Sequence, residues 1–132
     1  MIDHISSYAI DFGAAKAFYD AVLPGLGFAC NSEIVATWDP EFPTRRCAAY
    51  GPDGKPCFWV IETLVAPTPR HVAFQAPTRA AVDAFHRSGL AAGAGDHGAP
   101  GLRPIYHADY YGSFLIDPDG NNVEAVCHAP SA

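Results

Sequence analysis

Three side chains that could bind a metal ion stand at matching places in a sequence that repeats itself. His4 opens an apolar stretch near the N-terminus, and His71 opens a similar stretch about 67 residues later. Glu124 follows a Pro-Asp-Gly triplet at 118–120, and the earlier triplet at 52–54 is followed by Phe58. Two imidazoles and one carboxylate suit Fe(II), Mn, Ni, Co or Zn, and they leave coordination positions free for water and substrate.

The repeat extends well beyond these residues. At the same spacing Phe18 falls on Phe85 and Leu23 on Leu90, and the Pro-Asp-Gly triplet recurs at nearly the same distance. A repeat of this length indicates one supersecondary unit that is used twice. The sequence therefore predicts two modules, residues 1–66 and 67–132, that together form one structural domain.

Each module reads as a strand, a helix and three further strands. Residues 14–23 and 78–92 are the predicted helices, and Thr78 is a suitable N-cap for the second. Residues 51–54 predict a hairpin turn, and residues 93–109 predict a long loop with at most a short strand at 103–106. The fold class is α+β: tandem βαβββ modules form a curved sheet cleft, with the helices on the outer face.

The repeat also predicts how a site would be assembled. If the modules pack around a pseudo-twofold axis, the equivalent positions His4, Phe58, His71 and Glu124 face one another across a single cleft. Taken singly, these residues have plainer explanations: a histidine near a chain end, a hydrogen-bonded strand histidine and a solvated strand glutamate. Their joint placement favours a metal site formed by His4, His71 and Glu124.

The stretches around these positions resemble the vicinal oxygen chelate superfamily of glyoxalase I, extradiol dioxygenases, fosfomycin-resistance enzymes and bleomycin-resistance proteins. The matching stretches are 2–5, 17–23, 71–74 and 114–124, and the Asp-Pro-Asp-Gly-Asn turn in the last is the most specific. The resemblance implies paired modules, a dimer, and a divalent metal held by His4, His71 and Glu124. Phe58 departs from the pattern, because glyoxalase I-like members have a carboxylate there.

Two functions follow from the resemblance. The first is a metal-dependent enzyme that acts on a small oxygen-chelating substrate, by lyase, isomerase or ring-cleaving dioxygenase chemistry, and the missing fourth carboxylate favours the dioxygenase slightly. The second is a non-catalytic protein that binds an antibiotic-like small molecule. An acidic chain that contains Trp38 and several tyrosines suits a cationic aromatic ligand of that kind.

The segment 93–111 is predicted to fold over the cleft. It would bring His107 or Tyr110 near the metal as an acid–base group and would offer Arg103 as an anion contact. The alternative is that the tyrosines begin a strand and the loop packs on a partner subunit. The G-x-G-x-x-G pattern at 93–98 follows a helix rather than a strand, which excludes a nucleotide-binding loop. His86 is predicted to face solvent, and Trp59 to face the helices.

Composition limits the partners. A net charge of −6 without a Lys/Arg run disfavours nucleic acid. The four cysteines lack metal-site spacing, and neither a signal peptide nor an apolar run of about 18 residues is present, so we expect a cytoplasmic protein without a membrane partner. Open sheet edges and an apolar face predict a homodimer.

Overall fold

The computed structural model describes residues 1–130, which form two βαβββ modules in succession. The elements are β1 (Ile5–Ala9), α1 (Phe12–Val22), β2 (Ala29–Val35), β3 (Arg46–Gly51), β4 (Phe58–Glu62), β5 (His71–Gln75), α2 (Arg79–Ala91), β6 (Gly95–Leu102), β7 (Tyr111–Ile116) and β8 (Asn122–Cys127). The two mixed sheets have the strand orders β1-β4-β3-β2 and β5-β8-β7-β6. In each, the first strand pairs parallel to the last and the other pairs are antiparallel. The predicted α+β fold with tandem βαβββ modules is confirmed.

The helices begin at capping residues and bury one face. Asp11 accepts a hydrogen bond from the amide of Ala14 at 3.0 Å, and Thr78 accepts one from the amide of Ala81 at 3.0 Å. Each helix packs on one face of its own sheet, and the two helices also contact each other. The core is therefore shared between the modules, and the opposite face of each sheet is left without a helix. No helix within residues 1–130 is long and apolar enough to cross a bilayer.

The Asp-Pro-Asp-Gly-Asn turn between β7 and β8 joins the two modules through hydrogen bonds. The buried Asp117 carboxylate accepts from the Tyr19 hydroxyl at 2.5 Å, from the Asn121 side chain at 2.8 Å, and from the amides of Asp119 and Asn121 at 2.9 Å each. Asn121 also donates to the Ser7 hydroxyl at 3.2 Å. Burial, reinforced by Asp117, raises the pKa of Tyr19 well above its usual value, so the phenol stays protonated and donates.

Removal of the Asp117 carboxylate is expected to destabilise the protein strongly. Asp117→Ala leaves a buried phenol, a buried amide side chain and two backbone N–H groups without their acceptor, and we expect a loss of about 3 to 5 kcal/mol in the free energy of unfolding. Urea unfolding followed by circular dichroism measures it. Asp53 occupies the exposed Pro-Asp-Gly triplet of the first module, and Asp53→Asn should change stability by no more than about 0.5 kcal/mol. Equal effects of the two changes would refute the inter-module role of Asp117.

The predicted loop at 93–109 was wrong in its first half, because residues 95–102 form β6. This strand contains three glycines and a proline, and its pairing with β7 is interrupted by register shifts on either side of Gly98. It therefore lacks the alternation of apolar residues by which a strand is recognised. Residues 103–106 form a turn instead of a strand, closed by the Tyr106 amide and the Arg103 carbonyl at 3.0 Å.

The missed strand also explains the wrong placement of His86. This side chain was predicted to face solvent, but it is buried between α2 and β6. Its Nε2 lies 3.0 Å from Oδ1 of Asp96 on β6. The hydrogen bond from His86, together with the amide of Gly98, lowers the pKa of the Asp96 carboxyl.

Candidate metal-binding site

The strand register corrects the pairing of Phe58 with Glu124. In the second module Glu124 lies opposite Ala73, and in the first module Trp59 lies opposite Ser6. Ser6 and Ala73 are equivalent in the repeat, since each lies two residues after the histidine that opens its strand. Trp59 is therefore the counterpart of Glu124. Counting from the Pro-Asp-Gly triplets had paired Glu124 with Phe58 instead. That count is off by one because the first module has one more residue between its triplet and this position.

Phe58 and Trp59 face opposite sides of the first sheet, but each faces the side that the sequence analysis predicted for the other. Phe58 was predicted to face the cleft and Trp59 to face the helices. The Phe58 ring is buried, with its centroid 5.1 Å from the rings of Tyr19 and Phe74. Trp59 lies on the face without a helix, where it lines a cavity of about 220 Å³ with His4 and Trp38. The first module thus presents an indole where the second presents a carboxylate.

His71 and Glu124 meet on the open face of the second sheet, because β5 and β8 are paired neighbours. The Glu124 side chain is only 3% exposed, and its Oε1 lies 3.2 Å from Nε2 of His71. Nδ1 of His71 is 3.0 Å from the carbonyl oxygen of Asn122, which can only accept, so Nδ1 carries the hydrogen. In the neutral ring, Nε2 then directs a lone pair at a buried carboxylate.

This pair fits a cation. A lone pair and a carboxylate oxygen 3.2 Å apart repel each other unless a proton or a metal ion lies between or beside them. The hydrogen bond from Nδ1 to a backbone carbonyl is the contact that commonly orients a metal-binding histidine. His71 and Glu124 therefore have the donor atoms and the tautomer that a divalent ion requires, with the carboxylate buried and the imidazole open to solvent on one side.

Tyr110 holds the second carboxylate oxygen of Glu124. Its hydroxyl donates to Oε2, and Gly112 leaves the space that this contact needs. A Cβ at Gly112 would lie 3.2 Å from Cε1 of Tyr110 and 3.3 Å from Oε2 of Glu124. Burial, and then the hydrogen bond to Glu124, raise the pKa of Tyr110, so it remains a protonated donor. It can position Glu124 but is poorly suited to act as a base.

The sequence analysis missed two contributors to this site, Gly112 and the backbone carbonyl of Asn122, because the residue types at these positions give no sign of their roles.

His107 does not contact His71 or Glu124. Its Nε2 lies 2.8 Å from Nδ1 of His128, and its Nδ1 accepts from the amide of Asp109 at 3.1 Å. In the neutral ring Nε2 therefore carries the hydrogen and donates it to His128. His107 touches the site only through Tyr110, whose ring centroid is 5.5 Å away. The structure thus places His107 in a histidine pair at the edge of the site.

His4 lies apart from His71 and Glu124 in the same chain. Its Nδ1 is 2.7 Å from Oδ1 of Asp3, and the side chain is 55% exposed on the open face of the first sheet. Within residues 1–130 of one chain, no three His, Cys, Asp or Glu side chains are close enough to hold a metal ion together. One chain therefore brings together two of the three predicted ligands.

The sequence profile of the Glyoxalase/Bleomycin resistance protein/Dioxygenase superfamily matches residues 1–125. The chain belongs to this superfamily. The resemblance inferred from the sequence is confirmed, and the matched range includes both modules and all three predicted ligands. Among curated proteins, none matches the sequence.

Solved structures of the glyoxalase/bleomycin resistance protein/dioxygenase superfamily are similar over nearly the whole chain. A glyoxalase/bleomycin resistance protein from Albidiferax ferrireducens is 25% identical with a TM-score of 0.77, over 95% of this chain and 97% of that one. A family enzyme from Burkholderia phytofirmans is 24% identical with a TM-score of 0.66, over 97% and 98%. A mutant fosfomycin resistance protein from Listeria monocytogenes, solved with Mn(II) and dihydroxypropylphosphonic acid, is 16% identical with a TM-score of 0.67, over 96% and 90%. The last two likenesses concern the fold alone.

Proposed function

We propose that this superfamily member is a divalent-metal-dependent enzyme that acts on a small oxygen-chelating substrate, by lyase, isomerase or ring-cleaving dioxygenase chemistry. The observation that carries the proposal is the pair formed by the half-exposed His71 and the buried Glu124, 3.2 Å apart, with the imidazole tautomer set by a backbone carbonyl. A buried carboxylate that faces an imidazole on an open sheet face contributes little to packing. Its donor atoms suit a metal ion instead.

In this proposal the metal is Fe, Mn, Ni, Co or Zn, held by Nε2 of His71, Oε1 of Glu124 and the imidazole of His4. When bound, such an ion would polarise paired oxygens of a substrate and stabilise the negative charge that forms on them. The chain's own residues prepare the ligands. Asn122 fixes the tautomer of His71, and Tyr110 keeps one oxygen of Glu124 occupied so that the other is directed at His71.

We further propose a homodimer in which His4 of the partner subunit completes the site. Within residues 1–130, β1 and β5 are edge strands, each paired on one side only. Ile2, just before β1, is 78% exposed, and Ile5, the first residue of β1, is 39% exposed, which gives an apolar surface at an open strand edge. Such an edge invites pairing with a second copy, and twofold symmetry would repeat the contact at two sites. The two modules, residues 1–66 and 67–132, would then each contribute half of a site.

Metal analysis tests the proposed function. Protein purified without added chelator, or reloaded with Fe(II), Mn or Zn, is expected to contain about one equivalent of metal per chain. His71→Ala should lose it, whereas His97→Ala, at an exposed position on β6, should retain it. A wild-type protein that takes up no divalent metal under any of these conditions would refute the enzyme proposal.

One observation favours a second candidate, a non-catalytic small-molecule binder. Trp59 replaces a carboxylate at the position equivalent to Glu124, and it lines a cavity of about 220 Å³ with Trp38, whose ring is largely exposed. Two indoles beside a histidine suit a flat or cationic aromatic ligand. A metal-free protein whose tryptophan fluorescence responds saturably to such ligands would support this alternative.

Tyr110→Phe is expected to weaken metal binding without unfolding the protein. The change removes the hydrogen bond to Oε2 of Glu124, so the carboxylate loses the contact that orients it. Loss of such a contact typically costs about 10- to 100-fold in metal affinity. Competition with a chromophoric chelator measures the affinity, and Tyr106→Phe, at an exposed ring, is the matched control. Equal affinities for the two variants would contradict the positioning role of Tyr110.

A further inference from the structure

Arg103 lies on the same open sheet face as His71 and Glu124. Across the strands, Glu124 is opposite Phe114, and Phe114 is opposite Gly98 on β6. The Arg103 guanidinium lies over the Phe114 ring, with its carbon 5.4 Å from the ring centroid. Its Nη2 is 3.3 Å from the place that a Cβ on Gly98 would take. The Phe114 ring comes closer still to that place, at 2.9 Å, so the guanidinium and the ring together occupy the space beside Gly98 in the row that contains Glu124.

The local structure holds this cation in place. Nη2 of Arg103 donates to the carbonyl of Ala99 at 2.7 Å, and the Arg103 amide donates to the carbonyl of Tyr110 at 2.7 Å. Nη1 lies 3.1 Å from the position of a Cβ on Gly101, so a side chain there would crowd the guanidinium. The Arg103 guanidinium thus packs against Gly98, Gly101 and the Phe114 ring.

The Arg103 guanidinium has no carboxylate partner in the part of the chain that the structure describes. Arg45, Arg46 and Arg79 each have a carboxylate oxygen within 4.0 Å, whereas Arg103, like Arg70 and Arg87, has none among residues 1–130. Within the described part of the chain, its five N–H donors make one hydrogen bond, to a backbone carbonyl, although the chain carries a net charge of −6. A partly buried, stacked guanidinium with free donors is suited to bind a planar or tetrahedral oxyanion.

We propose that Arg103 binds the oxyanion group, a carboxylate or a phosphate, of a small molecule whose other end reaches His71 and Glu124. The Phe114 ring centroid is 5.4 Å from the Arg103 guanidinium carbon and 6.4 Å from the centroid of the His71 ring, so one small molecule can reach both contact points. The ligand is thus a small anion with its chelating oxygens at one end and its charge at the other. The assignment of the chelating end rests on the proposed function, but the anion contact at Arg103 does not require a metal.

NMR titration of the metal-free protein tests the anion contact by itself. The probes are inorganic phosphate and acetate, with acetamide as the uncharged analogue, and the readout is the Nε–H signal of the Arg103 side chain. We expect saturable shifts with phosphate, acetate or both, and none with acetamide. The stronger of the two anions identifies the preferred oxyanion.

Variants separate binding from structural support. Arg103→Gln is expected to weaken anion binding by at least about tenfold, and Arg103→Lys should also weaken it, because lysine lacks the planar fork. Backbone amide signals of β6 and β7 report binding in these variants. Arg87→Gln, at an exposed site on α2, should leave the affinity unchanged.

The outcomes also separate this inference from the proposed function. Metal uptake with no anion response at Arg103, or anion affinity that is unchanged in Arg103→Gln and Arg103→Lys, overturns the anion site alone. An anion response without any metal uptake supports the site and refutes the metal-dependent enzyme. If the arginine variants only lower the melting temperature while anion affinity is retained, Arg103 has a structural role and the inference is wrong.

Discussion

Glu124→Ala is expected to abolish metal binding while the protein remains folded. Glu124 supplies an anionic donor from a nearly fully buried position. Without it, His71 would be the one ligand that remains on the open face of the second sheet. Loss of a directly bound carboxylate should cost more than the 10- to 100-fold typical of a supporting residue, so we expect affinity to fall by more than about 100-fold. Because Glu124 faces the side of the sheet without a helix, removing it leaves the core intact. The unpaired Tyr110 hydroxyl should cost about 1 kcal/mol of stability.

The measurement is metal content after equilibrium dialysis, with circular dichroism as the check on folding. Glu41→Ala serves as the control, since this glutamate is exposed in the connection between β2 and β3. Metal content that is equally high in Glu124→Ala and Glu41→Ala would exclude Glu124 as a ligand.

Introducing a carboxylate at 58 and at 59 is expected to have opposite results. Phe58→Glu would bury a charge among the rings of Tyr19, Tyr50 and Phe74, with no basic residue among these neighbours. We expect a loss of more than about 4 kcal/mol, enough to unfold the protein. Trp59→Glu would place a carboxylate on the open face near His4, equivalent to Glu124.

Trp59→Glu should therefore fold and bind metal more tightly, by about tenfold, because a fourth ligand, and the second anionic one, joins an incomplete set. It should also occupy a coordination position that substrate needs and so lower any activity. Thermal unfolding and metal competition measure the two effects. A folded Phe58→Glu protein with tighter metal binding would show that the strand register is wrong at this position.

The sequence predicted the repeat, the strand and helix order and the superfamily because these depend on local patterns that recur along the chain. It also placed His71 and Glu124 on elements that are paired neighbours, β5 and β8, so that their side chains meet. The role of the Asp-Pro-Asp-Gly-Asn turn in joining the modules could not be predicted from the sequence. Asp117 bonds to Tyr19, which is 98 residues away in the sequence, and no local pattern reveals such a contact.

Other features depend on geometry that residue types do not encode. The equivalence of Trp59 and Glu124 follows from strand pairing, whereas counting from a turn is off by one residue. β6 was missed because glycines and bulges remove the alternating pattern. The separation of His4 from His71 depends on how the modules pack, and in our proposal a second copy supplies the missing ligand.

The central claim is that each metal site is shared between two subunits, and it is tested most directly by mixing two variants that are each expected to lose the metal. His4→Ala and Glu124→Ala chains are unfolded together in equal amounts, refolded, and assayed for bound metal after dialysis. If His4 of the partner subunit completes each site, half of the random dimers are mixed and each has one intact site, so about one quarter of the wild-type metal content should return. Each variant refolded alone should contain none. If the mixture binds no more metal than the separate variants while the wild type binds about one equivalent per chain, the site is not shared between two copies and the account is wrong.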